Sequence, residues 1–446
     1  MEEAGFRTVK LKRDNFSEDL IDKLPDEILI IIVSLLTTKE AVITSILSTR
    51  WRYLWRYISR FNFYGSGDND NLLLGEQRKF VNGVNQVCSS ILVPKLEEFR
   101  VDFCLDQSYR RDIDLWVEFA MSKGVESLDL IFRYPKATET QYNLSNDLCT
   151  LMNSPSGPSG FVYMKSLTLK NVDVSGELLE CFLVRCPLLC NLSVLCSRSL
   201  INLKVCGASL QLKVLNITNC TNLTNLEVSA PKLVSIQFAG RREILQIHNV
   251  PSLLDLMIDG QAVVCITHPF ILVQHNFSQL QTLVLKGYSI LKNVELPSSL
   301  KLTSLRDLTL AVEGNNSKAL LNNLFFLINA SPLLKKFTLQ IISFPLDLIW
   351  EEEETIKHRH QHLELVKIIG FSSIGIEIRF IMELIVSAVR LEKLVIDPNV
   401  PPDTVDCRRK YVVQSIRERF KMHVDWINER TTLIDLVNYP DFNYSD

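Results

Sequence analysis

The chain has 446 residues, of which 47% are apolar and 22% charged, and its formal net charge is -3. That length exceeds the usual single domain, so several units or one elongated repeat array are expected. The near-neutral charge gives no electrostatic reason for a nucleic-acid partner, and the apolar fraction argues against a disordered tether.

The opening MEEAGFRTVKLKRDNF has no apolar signal core before its first charges, and a flexible tail is expected over 1–17. The apolar run from Ile28 to Leu36 is too short to cross a bilayer and abuts Asp26 and Glu27. A cytoplasmic and/or nuclear protein without a membrane partner is the expectation. The 11 cysteines are odd in number and scattered through leucine-rich segments, as expected of reduced, buried thiols.

Residues 18–60 contain LPDEILIIIVSLLTTKEAVITSILSTRWRYLW, which reads as three short helices. Pro25 suits a first helical turn, Asp26 and Glu27 sit near its positive end, and the apolar body ends at Thr37-Thr38. A second helix from near Lys39 carries Ala41, Val42, Ile46 and Leu47; a third spans about Ser48 to Ile58, with Ser48 as a candidate cap. Three helices of about 35 residues have too little interior for so many large side chains. Part of the set Leu24, Ile28, Leu29, Ile32, Trp51, Leu54 and Trp55 is therefore expected to face a second body, either a partner or the rest of the chain.

Residues 61–94 read as a helical linker, with a polar turn YGSGDNDN at 64–71 and a helix from about Arg78 to Leu92. Over 95–350 the pattern becomes one apolar residue, two others, an apolar residue, one other and a third apolar residue, as in LEEFRV at 96–101, MKSLTL at 164–169 and LRDLTL at 305–310. Starts at 189, 212, 233, 253, 280, 305, 334, 363 and 391 give steps of 23, 21, 20, 27, 25, 29, 29 and 28 residues, which is solenoid spacing. Each run predicts a short parallel strand whose alternate residues point inward, and each unit needs neighbours to bury its apolar face.

The returns differ along the chain. LLECFLVRCPLL and ALLNNLFFLINASPLL predict helices stopped just before Pro187 and Pro332. Between about 196 and 260, extra runs LINLKV, LTNLEV and ILQI leave little room for helices, so a thinner, strand-rich section with uneven curvature is expected. A charged loop is expected at 351–361, a final strand-helix-strand unit at 362–400, and a C-terminal cap at 401–446 with basic stretches CRRKYVV and SIRERFKMHVDW.

No catalytic, cofactor or metal role is assigned. His358, His360 and His362 alternate, but beside Glu351 to Glu354 they read as a solvated excursion. Cys181, Cys186, Cys190 and Cys196 lack paired CxxC knuckles and cross a helix-to-strand transition, so buried repeat positions are expected, as for Cys220. GxGxxG, Gly-rich lysine and GxSxG motifs are absent from the sequence, and an enzyme is not expected.

Residues 19–58 closely resemble the plant form of the F-box, through the leucine-proline-acidic opening, the threonine-lysine-glutamate turn and the serine-x-arginine-tryptophan-arginine segment, in that order. The downstream runs resemble the leucine-rich repeats of plant F-box proteins, and residues 362–398 resemble their FBD region. Thr37 stands where the family often has proline, Thr49 where a cation is common, and Ser387 where asparagine is usual. The resemblance implies an α/β fold: an N-terminal three-helix F-box followed by a curved leucine-rich-repeat solenoid with an inner parallel sheet.

The same resemblance implies a noncatalytic substrate adaptor of an SCF-type cullin-RING ubiquitin ligase, holding SKP1 through the F-box and an unknown client through the repeats. Leu24, Pro25, Glu27, Ile28 and Leu29 match its first SKP1 contact segment; Val42, Leu47, Arg50, Trp51, Leu54 and Trp55 match the following helices, where some also hold the small fold together. Outward client candidates are Lys213, Asn216, Gln281, Thr282, Arg306, Asp307, Glu392 and Lys393. The competing expectation is a leucine-rich interaction scaffold with no coupling to ubiquitination.

Overall fold

Leucine spacing becomes strand spacing in the computed structural model of the chain, which describes residues 20–65, 74–133, 140–154, 159–240, 244–259, 278–286, 300–313, 317–343, 359–370, 375–397 and 433–436. The strands β1 (Arg60–Tyr64), β2 (Glu98–Phe103), β3 (Ser127–Phe132), β5 (Ser166–Lys170), β7 (Asn191–Leu195), β9 (Val214–Thr218), β11 (Ser235–Ala239) and β13 (Asp255–Asp259) lie side by side. The same sheet continues through β14 (Thr282–Lys286), β15 (Asp307–Glu313), β16 (Lys336–Ser343), β17 (Leu365–Ile369), β18 (Lys393–Asp397) and β19 (Leu433–Leu436), making 14 strands in chain order, while the short β4 (Tyr142–Asn143) and β6 (Val172–Asp173) pair with each other outside it.

Every pairing in that sheet is parallel, and equivalent residues face each other: Leu192 opposite Leu215, Leu215 opposite Ile236, Ile236 opposite Leu256, Leu256 opposite Leu283. The period of two puts these side chains on one face, where all are buried. Each contributes about 1.5–3 kcal/mol on burial, a gain realised only when the next repeat covers it.

A recurring turn closes the strands. Asn171, Cys196 and Asn219 adopt φ of 54°, 59° and 57°, and their N–H groups donate to Leu195, Thr218 and Ala239 of the next strand at 2.8, 2.9 and 2.8 Å. Gly370, at φ 80°, makes the same bond to Asp397. The left-handed conformation turns the chain while keeping its N–H in the ladder.

Helical returns occur where they were expected. The helix Gly176–Arg185 starts at Ser175, whose hydroxyl accepts from Leu178 N at 3.2 Å, and stops before Pro187; Ser317–Asn329 stops before Pro332. Between them β8 (Asn202–Cys206), β10 (Asn225–Ser229) and β12 (Leu245–Ile247) pair as a second parallel sheet, the strand-rich section read from the spacing. Strands on both faces share one spacing of about 4.8 Å, whereas helices need about 10 Å. In the strand-backed repeats the two sides therefore have matching widths.

Three features differ from the sequence reading. The sheet begins at β1, inside the segment read as a linker: RFNFY buries Phe61 and Phe63 but contains no leucine, so the leucine pattern does not reveal it. The expected second helix ends at Ile43 and passes into a 3-10 turn at Thr44–Ile46, and the expected third is a 3-10 helix at Trp51–Tyr57, with the Ser48 hydroxyl accepting from Trp51 N at 3.3 Å. His360, read as part of a solvated loop, is buried, because its ring is held between two turns.

The final unit forms as expected: β17, Gly370, a helix Gly375–Ser387 and β18. In the cap region β19 extends the sheet beside β18; the basic stretches, His358 and the Glu351–Glu354 run lie outside the described residues.

Candidate functional site

The N-terminal helices carry the candidate site. α1 (Asp26–Ser34) is apolar nearly all round, a pattern that requires burial on more than one side. Leu29 and Val33 turn into the protein's own core; Ile28, Ile31 and Leu35 recur at i, i+3 and i+7 on the other side, with Ile31 56% and Leu35 81% exposed. A second exposed set begins at the last residue of α2 (Thr38–Ile43): Ile43, Ile46 at 79% and Leu47 at 65%.

Specific polar bonds hold these helices in place. The Arg50 guanidinium pairs with Asp26 at 2.6 Å and also donates to the Leu24 carbonyl, tying the third segment to the start of α1. Thr37 caps α2: its hydroxyl accepts from Glu40 N at 3.3 Å while the Glu40 carboxylate accepts from Thr37 N at 3.0 Å. These Thr37 bonds hold the Glu40 carboxyl below the usual carboxylate range. Thr37 therefore supplies the cap where proline is common.

The three-helix unit is joined to the first repeat. The buried Thr38 hydroxyl accepts from Asn62 N on β1 at 2.7 Å, and the Arg56 carbonyl accepts from Leu92 and Val93 at 2.9 and 3.3 Å. Trp51, Leu54, Trp55 and Ile58 are buried in the apolar core that continues into Phe61 and Phe99.

Of the residues read as SKP1 contacts, Pro25, Glu27, Ile28 and Leu47 are exposed, and Leu24, Val42 and Arg50 are half-buried. Leu29, Trp51, Leu54 and Trp55 face the interior. Ile31, Leu35, Ile43 and Ile46 were not among the residues read as SKP1 contacts; their signal is the helical spacing of Ile31 and Leu35 from Ile28, opposite Leu29 and Val33, and the nearness of Ile43 and Ile46 to Leu47.

On the repeats, Asn216, Thr282, Asp307 and Lys393 occupy half-buried strand positions, while Lys213, Gln281, Arg306 and Glu392 sit exposed just before their strands. Many charges there are internally paired: Glu126 with Lys95 and Lys165 at 2.6 and 2.7 Å, Asp307 with Lys336 at 2.9 Å. Burial pushes the Cys181 and Cys186 thiols up to about 12 and Cys220 to about 11, so they stay protonated near neutrality. Among the described residues no group of three or more His, Cys, Asp or Glu side chains is placed to hold a metal ion, and no helix is long and apolar enough to cross a membrane.

A family model described as "At1g61320/AtMIF1, LRR domain" matches residues 88–438, and the F-box domain model matches residues 21–63. The chain belongs to the plant F-box/leucine-rich-repeat family. Its relatives include the Arabidopsis thaliana F-box/LRR-repeat protein At3g03360, 26% identical over 356 residues that cover 72% of this chain and 70% of that protein. The Arabidopsis F-box/FBD/LRR-repeat protein At1g13570 is 27% identical over 253 residues, 54% of each chain. A third, the Arabidopsis F-box/FBD/LRR-repeat protein At4g00160, is 35% identical over 133 residues, covering 30% of this chain and 28% of that one. Membership of this F-box/leucine-rich-repeat family implies, in general terms, an adaptor role in SCF-type ubiquitin ligases.

Proposed function

We propose that the chain is the substrate-recognition adaptor of an SCF-type cullin-RING ubiquitin ligase, binding an SKP1-like protein through its N-terminal helices and a client through its repeats. The observation that supports this most is the uncovered apolar stripe of Ile28, Ile31 and Leu35, continued by Ile43, Ile46 and Leu47 on the next segment. Water contact on that much aliphatic surface is unfavourable, and covering Leu35 alone contributes about 2 kcal/mol. Pro25 and Glu27 adjoin the stripe at the start of α1. Leu29, Trp51, Leu54 and Trp55 act from beneath, fixing the geometry of the helices that present it, and Arg50 fixes α1 against the third segment. The adaptor works by proximity: holding a client near a ubiquitin-loaded enzyme raises the effective concentration of its lysines without an acid, base or nucleophile from this chain.

The test uses the full chain purified with a plant SKP1-like protein. Ile31→Glu combined with Leu35→Glu removes apolar contact and desolvates two carboxylates, so affinity is expected to fall at least about 100-fold while the circular dichroism and melting temperature are retained. Association at wild-type strength by the folded double variant, or none by the parent chain, favours a leucine-rich scaffold uncoupled from ubiquitination. Trp51→Ala is the poorer probe, because it opens the chain's own core.

A further inference from the structure

Three sulfur atoms meet where two helical returns pack together. The helix Asp147–Asn153 supplies Cys149 and Met152, which are three residues apart and so share one of its faces. The helix Gly176–Arg185 lies beside it and supplies Cys181. The Cys181 Sγ is 3.9 Å from the Met152 Sδ, and its thiol is in hydrogen-bond contact with that of Cys149. Both cysteines are free thiols. Cys181 and Met152 are buried, whereas Cys149 is half-buried and so gives the cluster a side that water reaches.

Polar groups adjoin the sulfurs. Asn153 Nδ2 donates to the Cys149 Sγ at 3.5 Å, and Arg185 Nε donates to the Asn153 Oδ1 at 2.8 Å. Burial is the main obstacle to ionising Cys181, with the Cys149 thiol adding to it, and the Arg185 guanidinium one helical turn away works in the opposite direction. Among the described residues no further His, Cys, Asp or Glu joins the two thiols in a group placed to hold a metal ion, so the third donor at hand is a thioether.

We infer that Cys149, Cys181 and Met152 form a binding site for a soft monovalent cation, copper(I), held by two thiolates and one thioether. The inference is independent of the adaptor reading. Thiolate and thioether sulfur favours soft ions over hard divalent ones, and a closed zinc site would need a fourth donor. Three metal–sulfur bonds of about 2.3 Å, spread at about 120°, put the sulfurs about 4 Å apart. The Cys181–Met152 separation already has that value, so the ion enters between the sulfurs with little movement of the helices. Binding exchanges two thiol protons for one ion and releases them to water; no electron is transferred. The single negative charge left on the loaded cluster is offset by Arg185, which lowers the cost of holding it out of water. Once bound, the ion ties together the returns before and after β5.

The test loads the full chain with copper(I) alone, anaerobically, in competition with a chromophoric copper(I) chelator. The parent chain should hold one ion against the chelator, show three copper–sulfur bonds by X-ray absorption, and melt at a higher temperature when loaded. Met152→Leu conserves volume and should weaken retention at least about tenfold while lowering the sulfur count to two. Cys149→Ser should weaken it at least about 100-fold. Cys206→Ser, at an exposed thiol on β8, is the unchanged control. Circular dichroism of the metal-free variants establishes that each is folded. Retention indifferent to Met152→Leu and Cys149→Ser, retention that depends on Cys206 and so reflects scattered thiols, or no retention by the parent chain each overturns the inference.

Discussion

Removing the His360 ring should unfasten the final unit of the solenoid from the repeat before it. The ring nitrogens have opposite roles: Nδ1 accepts from Leu363 N at 3.1 Å and His362 N at 3.3 Å, so Nε2 carries the proton and donates to the Ser331 carbonyl at 2.8 Å. Its backbone meanwhile bridges the turn after the Gly375–Ser387 helix, donating to Ser387 and accepting from Val389. In His360→Ala, two groups in fully buried residues, the Ser331 carbonyl and the Leu363 amide, lose this partner; the carbonyl keeps the Leu334 N–H at 3.1 Å, and the amide is left orphaned. At about 1–3 kcal/mol for an orphaned buried group, the local cost is about 2 kcal/mol, or roughly a 30-fold rise in opening. His360→Asn, which can still accept at the Nδ1 position but does not reach Ser331, should recover most of that. Hydrogen exchange of the 363–369 amides, read by mass spectrometry, reports it directly. Burial holds the His360 imidazole below its ordinary range, and the charge acting on it is that of His362. The folded state thus binds fewer protons than the unfolded one, so the protection is complete above the unfolded value near 6.5 and declines as pH falls from there through the lower folded value. Unchanged exchange in His360→Ala, or protection that improves on acidification, would refute this reasoning.

Other substitutions test the turns and caps. Cys196 holds a left-handed φ of 59° where its repeat equivalents are asparagines, so Cys196→Asn should stabilise the chain by about 1 kcal/mol, seen as a rise in melting temperature. Gly370→Ala should do the opposite: φ is 80° and the new Cβ would stand 2.0 Å from the Ile341 carbonyl oxygen, so a loss on the order of 3 kcal/mol is expected in a urea titration. Thr37→Ala deletes the α2 cap and should cost about 1 kcal/mol in thermal unfolding. It should also return the Glu40 carboxyl to the ordinary carboxylate range, observable by a pH titration of its side-chain NMR signal.

The repeats were legible because their signal is redundant. An apolar residue, most often leucine, at each of three fixed positions, returning every 20 to 29 residues, admits few folds other than stacked parallel strands. The strand-rich centre was legible for the same reason, since steps of 20 to 23 residues leave no length for a helix and two strands. β1 was hidden because its buried residues are Phe61 and Phe63 rather than leucines, and one copy of an alternation five residues long carries little weight. His360 was hidden for a different reason: its three ring bonds run to backbone groups, and backbone partners leave no trace in side-chain composition. At the N-terminal helices, apolarity marks that a side chain leaves water without saying which body covers it. Trp51 and Trp55 are covered by this chain, while Leu35 and Ile46 are not, and only their placement on the helices separates the two.

The join between the helices and the repeats bears on how such an adaptor works. If residues 20–58 formed a body on a loose tether, a client on the sheet would sample a large volume and its effective concentration at the ligase would fall with tether length. Here the segment after Tyr57 becomes β1 within three residues, Thr38 bonds to Asn62 across that junction, and Arg56 binds the chain at Ser90, Leu92 and Val93. The aromatic side chains Trp55, Phe61 and Phe63 lie in one continuous core. Hinging at this point would expose them and break four hydrogen bonds, at a cost of several kcal/mol. The exposed Ile31–Leu35 surface and the inner face of the sheet therefore keep a fixed relation to each other, which is the property that positioning by proximity requires.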